Sequence, residues 1–178
     1  MFNEILTFWF AETEPQMWWT ANPGFDDLIR ARFLPVLTRA SHGELFPWRQ
    51  ESKGRLAEII VLDQFSRNIF RNTPAAFAQD PMALVLAQEA VEAGCHNTLS
   101  EVERGFLLMP FMHSESRQIH AVAESLFRKL ASQHSYEYEL KHKAIIDRFG
   151  RYPHRNQILG RVSSPEEQEF LKQPGSSF

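Results

Sequence analysis

Cysteine is nearly absent: Cys95 is the single thiol in 178 residues. One thiol excludes an intrachain disulfide and a cysteine-based zinc knuckle, and it suits a reducing compartment. Positive charge shows no surplus either. Nineteen Lys+Arg stand against 22 Asp+Glu, a formal charge of −3, so no global basic field gathers nucleic acid. No apolar run approaches the ~20 residues of a membrane span. The apolar opening Met1-Phe-Asn-Glu-Ile-Leu-Thr-Phe-Trp-Phe10 carries neither the basic start nor the small-residue cleavage site of a signal peptide. A cytoplasmic location is the expectation. There is no Gly-rich phosphate loop, no Gly-x-Ser-x-Gly elbow and no His-Glu-x-x-His pair, which removes the common nucleotide, hydrolase and zinc signatures.

What is present is apolar and helical. The 43% hydrophobic content, 15 Phe and 4 Trp are globular values, and the length fits one domain over residues 1–178. Asn3 is placed to cap a first helix that Glu14-Pro15 ends. Phe25, Leu28, Ile29, Phe33, Val36 and Leu37 are spaced for a second helix, bent at Pro35. Asp80-Pro81 predicts an N-cap with proline at the first helical position, and Ser100-x-x-Glu103 predicts a capping box. Pro110 is expected to kink or end the helix that follows. Ile119, Val122, Ala123, Leu126, Phe127 and Leu130 give the clearest amphipathic pattern. Tyr138 to Phe149 follows as a helix with Gly150 at its C′ position, and Ser164-Pro165-x-Glu167 caps a last one. No stretch alternates as a strand. The expectation is an all-α fold of seven or eight helices, packed as stacked helical hairpins.

Polar residues in three stretches break this apolar pattern. Arg55 to Arg71 reads as a helix with apolar residues on almost every side, which suits a central position. Its second half nevertheless carries Asp63, Gln64, Arg67, Asn68 and Arg71. Asp63 and Arg67 form an i, i+4 pair inside an apolar stripe, with Gln64, Asn68 and Arg71 on the adjoining row. Such groups need partners, because burying an unpaired polar group costs roughly 2–7 kcal/mol. In the second stretch, Glu115 points inward at a helix N-terminus beside His113, where a capping role and a catalytic role are both open. In the third, His142 faces the core, and Arg148, His154, Arg155 and Asn156 have the composition of an anion site. A solvated basic loop is the plain alternative. Trp18-Trp19 could stack a ligand ring, although aromatics beside a short helix usually belong to the core.

Leu62-Asp-Gln-Phe-Ser-Arg-Asn-Ile-Phe-Arg71, Met109-Pro-Phe-Met-His-Ser-Glu115 and Arg148-Phe-Gly-Arg-Tyr-Pro-His-Arg-Asn156 resemble the bacterial family catalogued as domain of unknown function 924. Phe8-Trp-Phe10, Phe25-Asp26 and Pro174-Gly-Ser-Ser-Phe178 fit it too, so the likeness covers essentially the whole chain. It implies a fold similar to tetratricopeptide superhelices, although no 34-residue repeat signature is present. It implies no activity. It does suggest that the polar residues of the three stretches belong together.

The functional expectation is a helical binding module. Asp63, Gln64, Arg67, Asn68, Arg71, His142, Arg148, Arg155 and Asn156 would line a cleft for a small anionic ligand or a peptide carboxylate. Two alternatives stand beside it. One is an enzyme with His113, Glu115, His154 and Asp63 as acid–base candidates. The other is a scaffold in which these side chains are internal struts. No metal or cofactor is expected, nor a membrane or nucleic-acid partner, and self-association is left open. The 55–71 helix should be central with Asp63 and Arg67 largely buried, the 151–156 loop should approach them, and the Phe178 tail should be ordered.

Overall fold

The computed structural model describes residues 2–177, so the expectation for Phe178 lies outside the described residues. Within them the chain is all-α, with no strand. The elements are α1 (Phe2–Thr7), α2 (Pro23–Ser41), α3 (Ser52–Ile60), α4 (Ser66–Ile69), α5 (Asp80–Glu92), α6 (Glu101–Met112), α7 (Arg117–Leu130), α8 (Gln133–Phe149) and α9 (Pro165–Phe170). A π-helical turn, Val61–Phe65, joins α3 to α4 without leaving helical backbone. Counted as one rod, α3–π–α4 brings the helices to eight among the described residues.

The rod is central. Leu56, Ile59, Ile60, Leu62, Phe65 and Ile69 are all fully buried, because α1, α2, α5 and α6 pack around it. Gly54 allows the close approach of the preceding connector: a Cβ there would meet the Trp48 carbonyl oxygen at 2.1 Å. α5 packs on α6, α6 on α7 and α7 on α8, and before them α2 packs on the rod and the rod on α5, so pairing of successive helices runs from α2 to α8. The main apolar core runs from Ile5 to Phe127. A small second cluster of Ile145, Ile146 and Tyr152, backed by Phe149 and Phe170, holds the C-terminal segment.

Several local expectations are met. Gly150 ends α8 at φ 71°, and Ser100 and Ser164 form capping boxes. The cap of α7, which no expectation named, is Ser116, accepting from the Ile119 amide. Others are corrected. Asn3 lies inside α1 instead of capping it. Pro110 sits inside α6, which continues to Met112. α8 begins at Gln133, five residues before Tyr138, because Ser132 caps it. Asp80 is not an N-cap: the cap position is Gln79, and the Asp80 carboxylate turns to arginine instead. Side-chain pairing with a guanidinium is the stronger of the two interactions.

Candidate functional site

The π turn sets the geometry of the polar centre. A wider i→i+5 turn interrupts the regular helical stacking, and such turns often occur at functional positions. Here it carries Asp63 and Gln64. Asp63, 1% exposed at its side chain, meets Arg67 Nη1 at 3.1 Å and His113 Nδ1 at 2.7 Å. Gln64 donates to the same carboxylate and also reaches the Met109 sulfur of α6. Burial opposes the charge on Asp63, but Arg67, His113 and Gln64 outweigh it and hold the carboxyl below the usual carboxylate range.

Arg67 is shared. Its guanidinium donates to both Asp80 oxygens, at 2.9 and 3.0 Å, and to the Asp63 carbonyl at 2.8 Å. These carboxylates outweigh burial and raise its affinity for the proton. Arg155 comes from the 151–156 loop. It reaches Asp80 Oδ2 at 3.3 Å and the His113 carbonyl at 3.1 Å, while Phe77 and Tyr152 flank it with ring centroids 4.6 Å away. Its side chain is 7% exposed, and its Nε is buried with no hydrogen-bond partner. Burial and the neighbouring Arg67 lower its pKa, with Asp80 and Glu115 opposing. Thus Arg155 is the under-neutralised cation of the centre.

An ionised carboxylate only accepts, so Nδ1 of His113 carries the proton and Nε2 of the neutral ring is an acceptor. No protein partner reaches Nε2 among the described residues, and it is not among the sealed polar atoms. Burial and Arg67 lower the His113 pKa despite Asp63, which keeps the ring neutral. A second histidine–carboxylate pair lies nearby and behaves differently. His120 meets Glu139 at 2.7 Å, with its Nε2 engaged by the Ser114 carbonyl and the Tyr152 hydroxyl. Both side chains are fully buried. One pair is closed off; in the other, Asp63 is buried while His113 keeps 16% of its side chain exposed, beside Arg67 at 19% and Asp80 at 16%.

Glu115 supports the loop. Its Oε1 accepts from the Tyr152 amide at 2.7 Å, and both oxygens accept from Arg161. Burial opposes the charge, but Arg161 and that amide hold the carboxyl below its ordinary range. Asn156, wholly buried, bridges Arg161 and Ser163. His142 donates to the Tyr138 carbonyl and meets Tyr152 edge-on, and His154 tilts against the other part of that ring environment.

Of the expected residues, Asp63, Gln64, Arg67, His113 and Arg155 converge directly, with Glu115, Asn156, His142 and His154 in the supporting layer around Tyr152. Asn68 and Arg71 do not join them. Both bind Asp26 of α2, with Asn68 at 2.8 Å and Arg71 at 2.5 and 2.8 Å. Arg148 pairs with Glu166 at the surface. Asp80, Phe77 and Tyr152 also belong to the centre; the sequence reads Asp80 as a helix cap and assigns Phe77 and Tyr152 no role, and the arginine-rich loop around Tyr152 is the pointer it offers. Among the described residues no three His, Cys, Asp or Glu side chains gather as metal ligands, and no helix is long and apolar enough to cross a membrane.

The chain belongs to the family described as bacterial protein of unknown function (DUF924), whose pattern matches residues 5–175. It is similar to the solved structure of the protein of unknown function ATU0120 from Agrobacterium tumefaciens, at 35% identity and a TM-score of 0.91, covering 96% of each chain. No curated protein matches it.

Proposed function

We propose that the polar centre binds a small anion that also carries a hydrogen-bond donor, such as a hydroxy acid or hydrogen phosphate. The observation that carries this reading is Arg155, a guanidinium almost removed from water whose Nε has no partner. A buried N–H left unpaired costs about 1–3 kcal/mol, more on a charged group. That Nε is sealed in this structure, so a ligand oxygen would recover the cost by entering as the 151–156 loop shifts. The outward Nε2 of His113 accepts rather than donates, so it favours a ligand hydroxyl over a bare oxyanion. Arg67 is already matched by Asp63 and Asp80 and serves to fix the frame.

The test is thermal melting of the wild type and Arg155→Lys in acetate, glycolate, phosphate and sulfate. Sulfate and phosphate stabilise folded proteins by exclusion, so the readout is the difference between the two proteins. Glycolate and phosphate should raise the wild-type Tm more than the variant's, the equivalent of about 2.7 kcal/mol at a hundredfold excess over Kd. Acetate and sulfate should do less. Equal responses from both proteins across the panel would overturn the reading.

A second reading rests on the same dyad. A neutral imidazole, oriented by a buried carboxylate and open at Nε2, is the arrangement of a general base. In that case the group deprotonated is a water that attacks the ligand's ester carbonyl, and the imidazolium returns the proton to the departing alkoxide. Turnover of a carboxylate-bearing ester that disappears in His113→Gln would favour it, and binding without turnover would favour the module.

A further inference from the structure

Trp18 and Trp19 stand at a different place from the polar centre. The 3-10 turn Pro15–Trp18 lays them against α6 and the start of α8, where a surface cavity of about 140 Å³ opens. Trp18, Trp19 and Phe106 wall it, Met109 and Gly105 line it, and Glu101 is the single charged residue on its lining. Trp18 is perpendicular to both neighbours, at 87° to Trp19 and 81° to Phe106, and these two stack on each other at 9° with centroids 5.9 Å apart. Its indole N–H donates to the Trp9 carbonyl at 3.0 Å, which fixes the ring. Trp19 is 65% exposed, an uncommon condition for tryptophan in a folded chain.

The polar groups around this space are mostly occupied. The Ser132 and Ser135 hydroxyls bond to each other at 3.0 Å, and Ser132 caps α8. Arg104, the adjacent cation on α6, directs its guanidinium to the Leu99 and Leu130 carbonyls. Glu101 forms no ion pair among the described residues and is exposed. What remains is an aromatic corner with one unneutralised carboxylate at its rim. Aromatic faces attract a cation through their quadrupole, and such walls with a nearby carboxylate are the usual recognition chemistry for alkylated ammonium groups. The volume suits the class, since an apolar cavity of about 150 Å³ holds a benzene-sized molecule.

We propose that this aromatic corner binds a small quaternary-ammonium cation, with Trp18, Trp19 and Phe106 against the methyl groups and Glu101 supplying the countercharge. The site is independent of the anion reading and can fail separately from it. Glycine at 105 leaves the cavity lining open: a Cβ there would come no closer than 3.8 Å to Ser135 Oγ. Gly105→Ala therefore adds a methyl group to the lining without a clash, and alanine is the better helix former.

The experiment is titration of the full chain with choline, read by tryptophan fluorescence and by the indole N–H resonances. The controls are 3,3-dimethylbutanol, the neutral isostere of choline, and sodium chloride at matched ionic strength. Choline should give a saturable change centred on Trp18 and Trp19. The neutral isostere should bind about tenfold more weakly, as should Trp19→Ala, consistent with the loss of one cation–aromatic contact. Glu101→Gln should weaken binding severalfold. Gly105→Ala should also weaken it while melting at or above the wild-type temperature, which separates occlusion from misfolding. A linear, unsaturated response to choline, or equal binding of the neutral isostere, overturns the proposal.

Discussion

His113 meets Asp63 through Nδ1 at 2.7 Å, joining the end of α6 to the π turn of the central rod. The relationship fixes three things together: the charge on Asp63, the tautomer of His113 and the distance between two helices that contact through few other polar groups. Asp63 is held from its other side by Arg67. The pair is therefore part of a chain, Arg155–Asp80–Arg67–Asp63–His113, whose last member contacts its first through the His113 carbonyl.

Breaking this chain at Asp63 should be costly. Asp63→Asn removes one of the two carboxylates on Arg67 and leaves Asp80 in place, so the loss should be about 1–3 kcal/mol, the scale of a buried charged hydrogen bond left unmade. Urea denaturation should show the midpoint moving down with little change in slope. A double-mutant cycle with Arg67→Met should give a coupling of roughly 1–3 kcal/mol. Additive effects would mean that the two side chains are energetically separate.

Acid should act on the same carboxylate. The folded pKa of Asp63 is depressed, because Arg67, His113 and Gln64 outweigh its burial. Its contribution is complete above an unfolded value of about 3.9 and is lost as pH falls through and below that value. Asp63→Asn, which cannot titrate, should lose less stability than the wild type between pH 5 and pH 3, on the order of those values.

A second pH window belongs to the histidines around Tyr152. Burial pushes His142 down to about 3 and His154 down to about 4. The unfolded chain takes up those protons first, near pH 6.5. Stability is therefore full above that pH and declines as pH falls towards 4. Urea midpoints measured from pH 7 to pH 5 should fall, and His142→Leu should flatten the decline. A flat wild-type profile would contradict the burial of these neutral rings.

The helices were largely legible because their signals are local. Ser100 and Ser164 mark helix starts through hydrogen bonds within three residues, and the apolar run from Leu56 to Phe65 could only be central. The polar centre was legible in part. Asp63 and Arg67 announced each other by spacing, and Arg155 by the company of other basic residues. Asp80 was hidden because an aspartate before proline looks like a cap, and only the tertiary fold presents it with Arg67. The π turn carries no residue signature, yet the row of Gln64, Asn68 and Arg71 separates there. Gln64 turns to α6 while Asn68 and Arg71 turn to Asp26 of α2.

That separation has its own consequence. Arg71→Ala should cost about 1 kcal/mol, the usual scale for a partly exposed pair, and should leave the anion response of the wild type intact. Loss of that response in Arg71→Ala would extend the site across the rod to α2.

Glu115 should govern the order of the loop. It binds the Tyr152 amide and Arg161, so Glu115→Gln loosens the segment that carries Arg155. Amide hydrogen exchange should accelerate at Tyr152 and Arg155 well before the α3 and α6 cores, because local opening requires less than global unfolding. Uniform acceleration across the chain would assign Glu115 a general stabilising role instead.

The central claim is that Arg155 is left short of a partner which a ligand supplies. It is tested most directly by following the Arg155 Nε–H resonance in a ¹⁵N-labelled chain during titration with glycolate. A saturable downfield shift of that one arginine signal is expected, with a parallel change at the His113 ring and unmoved Arg71 and Arg148 signals. An Arg155 Nε–H resonance that stays in place while others shift, or that never responds at any concentration, contradicts the claim.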